Sequence, residues 1–156
     1  MVKGLYFLIL IALFVFSLSA AELRAQSISG SITGRAVAKG STARGVVTMS
    51  IPGGLHVNSN RPSSEYAIPT TVRITGQGIR VRSVSYPRGQ NRKFDFSENL
   101  INVYEGTVRF PFTFSVPAGF RGNTVRLRAV VRYQACTNEV CYPPKNKEIT
   151  LTARVQ

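Results

Sequence analysis

Two cysteines, one histidine and no tryptophan are present in 156 residues. An ordinary four-ligand zinc site made of Cys and His alone is therefore excluded. Acids are scarce as well: 7 Asp and Glu stand against 20 Lys and Arg, for a formal net charge of +13. No collagen-like period, coiled-coil heptad, internal repeat, low-complexity tract or interdomain linker interrupts the chain, and no amphipathic helical stretch of useful length competes with the strand patterns below. What is there can fill a core. Hydrophobic residues make up 44% and charged residues 17%, which argues against wholesale disorder and fits one modest domain.

The excess of arginine invites a nucleic-acid reading, but the arginines are dispersed among Ser, Thr and Val on strand-like segments. They are neither clustered on a helix nor interleaved with aromatics, so they read as a solvated cationic surface with a weak preference for acidic partners or anionic envelope surfaces, and no nucleic-acid partner is expected. The N-terminus carries a different signal. Lys3 supplies a short positive region, Leu5 to Phe16 an apolar run and Ser19-Ala20-Ala21 a small-residue exit. This pattern predicts a signal peptide over residues 1–21, cleaved after Ala21 or near Ala25, and an exported domain over 22–156. An uncleaved anchor is the alternative, because Gly4 to Ala21 is uncharged and just long enough to span a bilayer.

The remainder reads as strands. Val108, Phe110, Phe112, Phe114 and Val116 alternate with Arg109, Pro111, Thr113 and Ser115. Val125, Leu127, Ala129, Val131 and Tyr133 alternate with Arg126, Arg128 and Arg132, and Ile149, Leu151, Ala153 and Val155 with Thr150, Thr152 and Arg154. A period of two suits strands with one buried face. Weaker candidates span Ile28 to Val37, Val46 to Ile51, Thr71 to Thr75 and Ile79 to Tyr86, separated by punctuation such as Pro52-Gly53-Gly54 and Pro117-Ala118-Gly119. Seven or more short strands at this spacing predict an all-β, immunoglobulin-like antiparallel β-sandwich, with a barrel as the alternative. Two loops stand out, Asn58 to Pro69 and Pro87 to Asn99. In the second, Phe94 and Phe96 bracket Asp95, either tucked under the loop as a satellite cluster or acting as a lid.

Export changes what the cysteines mean, since a disulfide persists in an oxidising compartment. Cys136 and Cys141 have four residues between them and lie between two predicted strands, so they can face one another and close a disulfide. Stapling is one reading. For so short a loop the chain-entropy model gives only roughly 2 kcal/mol, which favours a second reading, exchange. Parity adds to it: the inward set before the loop falls on odd numbers, which puts Cys136 on the arginine-bearing face and predicts an outward, reachable cysteine. The return strand is also odd inward, so Cys136 opposite Cys141 demands a register slip. Pro143-Pro144 is the natural place for it.

The run Tyr133-Gln134-Ala135-Cys136, followed by Cys141-Tyr142-Pro143-Pro144 and preceded by Val103-Tyr104-Glu105-Gly106, resembles the periplasmic N-terminal domain family of the thiol:disulfide interchange protein DsbD. Gly54-Leu55-His56-Val57-Asn58-Ser59-Asn60-Arg61-Pro62 with Ile68-Pro69-Thr70 is similar to free-standing or N-terminal members of that family. The resemblance implies a sandwich in the periplasm whose cysteine pair shuttles between dithiol and disulfide. It would take electrons from a thioredoxin-like domain and pass them to other periplasmic thioredoxin-like proteins, as in cytochrome c biogenesis. It implies a cap loop over the pair, which by position falls around Asp95-Phe96, with Phe96 the first candidate shield and Phe94 the second. It also implies that Cys141 is engaged first and Cys136 resolves the mixed disulfide. The membrane and thioredoxin-like domains of full-length DsbD have no counterpart here, so the resemblance implies a separate membrane electron donor.

Thiol–disulfide exchange needs no metal, organic cofactor or small-molecule substrate. Tyr133 and Tyr142 are expected to frame the site, although the inward parity of Tyr133 favours the core. Glu139, inside the loop, would disfavour a thiolate by like-charge repulsion. His56 lies between Leu55 and Val57 and is expected to face solvent or bond a loop rather than act as a catalytic base. A reading from another class competes: a non-enzymatic envelope or carbohydrate-binding sandwich with a structural disulfide.

Overall fold

The computed structural model describes residues 26–156, so the signal segment 1–21 and the cleavage positions Ala21 and Ala25 lie outside the described residues. The described chain contains strands and no helix. In order these are β1 (Ser27–Ile32), β2 (Ala36–Val37), β3 (Thr42–Ser50), β4 (His56–Asn58), β5 (Thr71–Thr75), β6 (Arg80–Val84), β7 (Gln90–Arg92), β8 (Ile101–Tyr104), β9 (Thr107–Ser115), β10 (Thr124–Tyr133), β11 (Ala135–Cys136) and β12 (Lys145–Val155).

Period-two alternation builds two sheets, ordered β1-β3-β9-β6 and β2-β12-β10-β5. Every strand pair in them is antiparallel except β12 with β2. Val47, Met49, Phe110, Phe112 and Phe114 from the first sheet meet Val72, Val125, Leu127, Val131 and Leu151 from the second in one buried core. The residues between them, among them Arg109, Arg126, Arg128, Arg132 and Arg154, stay exposed. The chain is an immunoglobulin-like sandwich of open sheets rather than a closed barrel.

Two weaker strand expectations need correction. Ile28 to Val37 is two strands, broken where Gly34 takes a φ of 94°. A left-handed residue there costs glycine little, and the turn lets β1 pair with β3 while β2 crosses to β12 in the other sheet. Ile79 to Tyr86 narrows to β6, whose register against β9 shifts between Val81 and Ser83.

Gly45 on β3 opposes Phe112 on β9, and a Cβ there would lie 2.3 and 2.6 Å from two atoms of the buried Phe112 ring. The ring has nowhere to go. Gly45→Ala is therefore expected to destabilise the fold by about 1–3 kcal/mol, the usual range for overpacking, read as a lower urea midpoint at unchanged slope.

A third sheet, β11-β4-β8-β7, was not foreseen. Its strands run only two to four residues, and the Pro87 to Asn99 loop contributes β7 to it. One face, with Ala135, Val57 and Tyr104, joins the main core. The other carries Cys136, His56 and Asn58, followed by Val103 and Ile101.

Candidate functional site

Cys136 and Cys141 are joined, with an S–S distance of 2.03 Å and a Cα–Cα distance of 4.0 Å. They form an isolated antiparallel bridge, closed on one side by Thr137 N–H donating to the Val140 carbonyl (2.8 Å) and on the other by Tyr142 N–H donating to the Ala135 carbonyl (2.8 Å). The cysteines thus occupy the narrow, non-hydrogen-bonded position of a hairpin, where facing side chains approach most closely. Asn138 and Glu139 make the turn, which the Thr137 hydroxyl caps by accepting from the Glu139 and Val140 amides at 3.2 and 3.1 Å.

The expected register slip is present. Along β10 and β12 the partners run from Thr124↔Arg154 to Tyr133↔Lys145, whereas Cys136 faces Cys141. Between those two pairs the return strand carries one residue more than the outgoing strand. Tyr142, Pro143 and Pro144 fill that interval, and the two prolines lack the amides a continuous ladder needs.

Cys136 lies on the face its parity predicts but not with the predicted exposure. Cys136 does point away from the main core, yet it is fully buried. Phe94 is buried over that face, in a satellite cluster with Ile101 and Val103. Cys141 is exposed and lines a cleft of about 590 Å³ with Phe96, Gln134, Tyr66, Glu65 and Glu98. The disulfide therefore joins an exposed cysteine in the cleft to a fully buried one.

Phe94 is buried in the satellite cluster and Phe96 lies half-exposed against it. Phe94 stacks on His56 at 4.0 Å and Phe96 on Phe94 at 5.3 Å, in near-parallel planes. Phe96 is 41% exposed. Asp95 between them is exposed. Lys93 fastens the loop by donating to the Ser97 and Glu98 carbonyls at 2.7 and 2.6 Å. Tyr133 belongs to the core, fully buried with its hydroxyl unpartnered, and burial pushes its phenol pKa up. Tyr142 and Glu139 are exposed beside Cys141.

His56 departs from its expected surface position. It is 3% exposed, opposes Cys136 directly across the β4–β11 pair, and has a buried Nε2 without a partner. Burial lowers its pKa below the ordinary 6.5, and Glu105 partly offsets this. The unfolded chain therefore takes up this proton at higher pH than the folded one, so the stability His56 contributes is present above about pH 6.5 and is lost as pH falls through the lower folded value. Chemical denaturation between pH 7.5 and 5 is expected to show that loss, reduced in His56→Phe.

Residue identity alone did not single out Gln134 and Asn58. Asn58 Nδ2 donates to Gln134 Oε1 and to the Ile68 carbonyl, each at 3.1 Å. The Ile68 amide also donates to Gln134 Oε1 (3.3 Å), and Gln134 Nε2 donates to the Tyr142 carbonyl (3.3 Å). One glutamine thus ties the disulfide hairpin to the Asn58 to Pro69 loop across the cleft floor. The signal for both residues was their place inside the segments that carry the family resemblance.

A family model described as the N-terminal part of the thiol:disulfide interchange protein DsbD matches residues 28–153. The chain belongs to the DsbD N-terminal family. A curated relative, the thiol:disulfide interchange protein DsbD of Actinobacillus pleuropneumoniae serotype 5b (strain L20), is 23% identical over 86 residues, covering 55% of this chain and 14% of the relative. The chain thus spans about a seventh of that relative's length. Among solved structures, the N-terminal periplasmic domain of ScsB from Proteus mirabilis superposes with a TM-score of 0.57 at 15% identity, over 86% of this chain and 49% of that one. The Neisseria meningitidis DsbD N-terminal domain in its reduced form gives 0.46 at 18%, over 72% and 82%. DsbD N-terminal membership and a closed Cys136–Cys141 pair favour thiol–disulfide interchange over the rival envelope-module reading.

Proposed function

We propose that this DsbD N-terminal-family domain works in the periplasm as a disulfide relay, passing reducing equivalents between thioredoxin-like proteins through Cys136 and Cys141. The observation that carries the reading is the asymmetry of the pair, with Cys141 exposed in a cleft and Cys136 sealed behind Phe94. An inert staple gains nothing from one open sulfur, whereas exchange requires an attacking thiolate to reach one sulfur in line with its bond to the other.

The surroundings support a protein partner. The large apolar side chains left exposed among the described residues are Tyr66, Phe96, Leu100, Val140 and Tyr142. Tyr66 and Phe96 line the cleft with Cys141, Leu100 sits between cleft residues Asn99 and Ile101, and Val140 and Tyr142 flank Cys141 in sequence. Apolar surface gathered at one end of an otherwise arginine-studded sandwich marks an interaction site.

A partner thiolate attacks Cys141 Sγ. The Cys141–Cys136 bond breaks, Cys136 leaves with the electron pair and takes up a proton, and a Cys141–partner disulfide forms. The partner's second thiol then displaces Cys141, so the partner leaves oxidised and the domain holds two thiols. The reverse sequence, on an oxidised acceptor, returns the two electrons. Phe96 and Phe94 serve as the cap that keeps small oxidants from the pair, and Tyr142 frames the reachable sulfur. Glu139, with Glu65 and Glu98 in the cleft, disfavours a standing thiolate on Cys141. The signal segment 1–21 directs export, and the thiol donor is a thioredoxin-like domain held at the membrane.

Trapping tests the assignment. Cys136→Ser, mixed with an activated thioredoxin-like protein lacking its resolving cysteine, is expected to accumulate a mixed disulfide through Cys141 on non-reducing gels. If no adduct forms under conditions that label Cys141 with a small thiol reagent, the relay reading is wrong.

A further inference from the structure

We propose that His56 is the proton acceptor for the Cys136 thiol, an inference that rests on the relay reading and adds the group that manages its buried proton. Cys136 is sealed from solvent, so when its bond to Cys141 breaks the departing sulfur cannot rely on water. A bare thiolate in such a site carries a large desolvation cost. The candidate partner must therefore be a side chain on the same sheet face.

His56 is that side chain. Directly opposed residues of an antiparallel pair project to the same face with Cβ atoms about 5 Å apart, and Cys136 is opposed to His56. The imidazole is held by its stack on Phe94, and its buried Nε2 has no partner while the disulfide is closed. Buried polar atoms are nearly always satisfied, and an exception calls for a reason. Here the reason is the reduced state: a Cys136 S–H donates to Nε2 and fills the vacant position.

The step balances. When Cys136 closes the mixed disulfide, its proton passes to Nε2, its sulfur bonds to Cys141 Sγ, and the Cys141–partner bond breaks with the pair leaving on the partner sulfur. The imidazolium then gives the proton to that thiolate. In the opposite direction the attacking partner thiol gives its proton to Nε2, and the imidazolium passes that proton to Cys136 as its sulfur departs.

The charged groups around the ring permit this traffic. Burial disfavours the imidazolium, and Glu105 partly offsets this; Glu105 is itself ion-paired to Arg92 at 2.7 Å. In the covering loop, Lys93 is tied to carbonyls, Asp95 is exposed, and Glu98 lines the cleft. Tyr104 lies on the opposite face of the sheet, in the main core.

The test is nitrogen NMR of the His56 ring in the full chain, with the disulfide closed and after reduction by dithiothreitol, joined to exchange rates of His56→Phe across pH 5 to 8. His56→Phe keeps an aromatic ring on Phe94, and matched circular dichroism and urea midpoints at pH 7.5 check that the sandwich is intact. The expected result is an Nε2 resonance that moves on reduction to the position of a hydrogen-bonded acceptor, with His56→Phe slowing closure of the mixed disulfide about 10-fold, at the low end for general acid–base catalysis, and flattening its pH profile. An Nε2 resonance unchanged by reduction, or a variant with the wild-type rate and pH profile, overturns the assignment. Chemical reduction needs no protein partner, so this result is independent of the Cys141 trapping experiment. A domain that shows the NMR shift but forms no adduct keeps the His56–Cys136 contact and loses the relay.

Discussion

Cys141→Ser is expected to abolish electron transfer to and from thioredoxin-like proteins, with no mixed disulfide detectable under any redox buffer. The partner can reach only the sulfur that lines the cleft, and Cys136, fully buried, cannot substitute for it. Cys136→Ser is expected to behave differently. It fails to complete a cycle but still captures partners through Cys141. Both variants lose the same short cross-link, worth roughly 2 kcal/mol in the chain-entropy model, so their urea midpoints should fall together. Equal loss of stability with opposite trapping behaviour separates a reactive pair from a staple. Quantitative non-reducing electrophoresis, set beside denaturation curves for both variants, checks it.

The second large effect is expected at Phe94. Its ring is 5% exposed, sits between His56 and Phe96 in one stack, and packs on Ile101 and Val103. Truncating a buried phenylalanine costs about 3–5 kcal/mol, and a satellite cluster under a loop belongs at the lower end of that range. More telling is the change in access. Phe94→Ala removes the cover from the face that carries Cys136, so alkylation of Cys136 in the reduced protein is expected to accelerate at least 10-fold, while Cys141 labels at its former rate. Phe96→Ala, at a half-exposed position, is expected to leave stability within about 0.5 kcal/mol of the parent. Labelling kinetics followed by peptide mass mapping distinguish the two cysteines.

How far the sequence revealed this arrangement depended on the length over which a pattern repeats. β9, β10 and β12 were legible because apolar residues recur at every second position over seven or more residues in each, and one face of a sandwich must be apolar. The sheet that holds the site was not legible. β4, β7 and β11 contain two or three residues each, too few to show any period, and they are strands only because neighbouring backbone supplies their hydrogen bonds. The slip between Tyr133↔Lys145 and Cys136↔Cys141 followed from odd and even numbering and the two prolines. Parity also gave the correct face of Cys136. It could not give its exposure, because the cover comes from Phe94, distant in sequence and brought in by the β7–β8 hairpin. For the same reason His56 read as a surface residue: its neighbours in sequence are unremarkable, and its neighbours in space come from β11 and the loop after β7.

The proposed relay requires that the Cys136–Cys141 disulfide, with Cys141 exposed and Cys136 buried, opens and closes in use. Equilibration of the full chain against graded glutathione and thioredoxin redox buffers, with the Cys136–Cys141 state read by mass after thiol labelling, tests it most directly. Reversible reduction is expected at a potential above about −300 mV, within the range where thioredoxin-like proteins exchange electrons. A bond that stays closed to potentials below about −300 mV, like an ordinary structural disulfide, would contradict it.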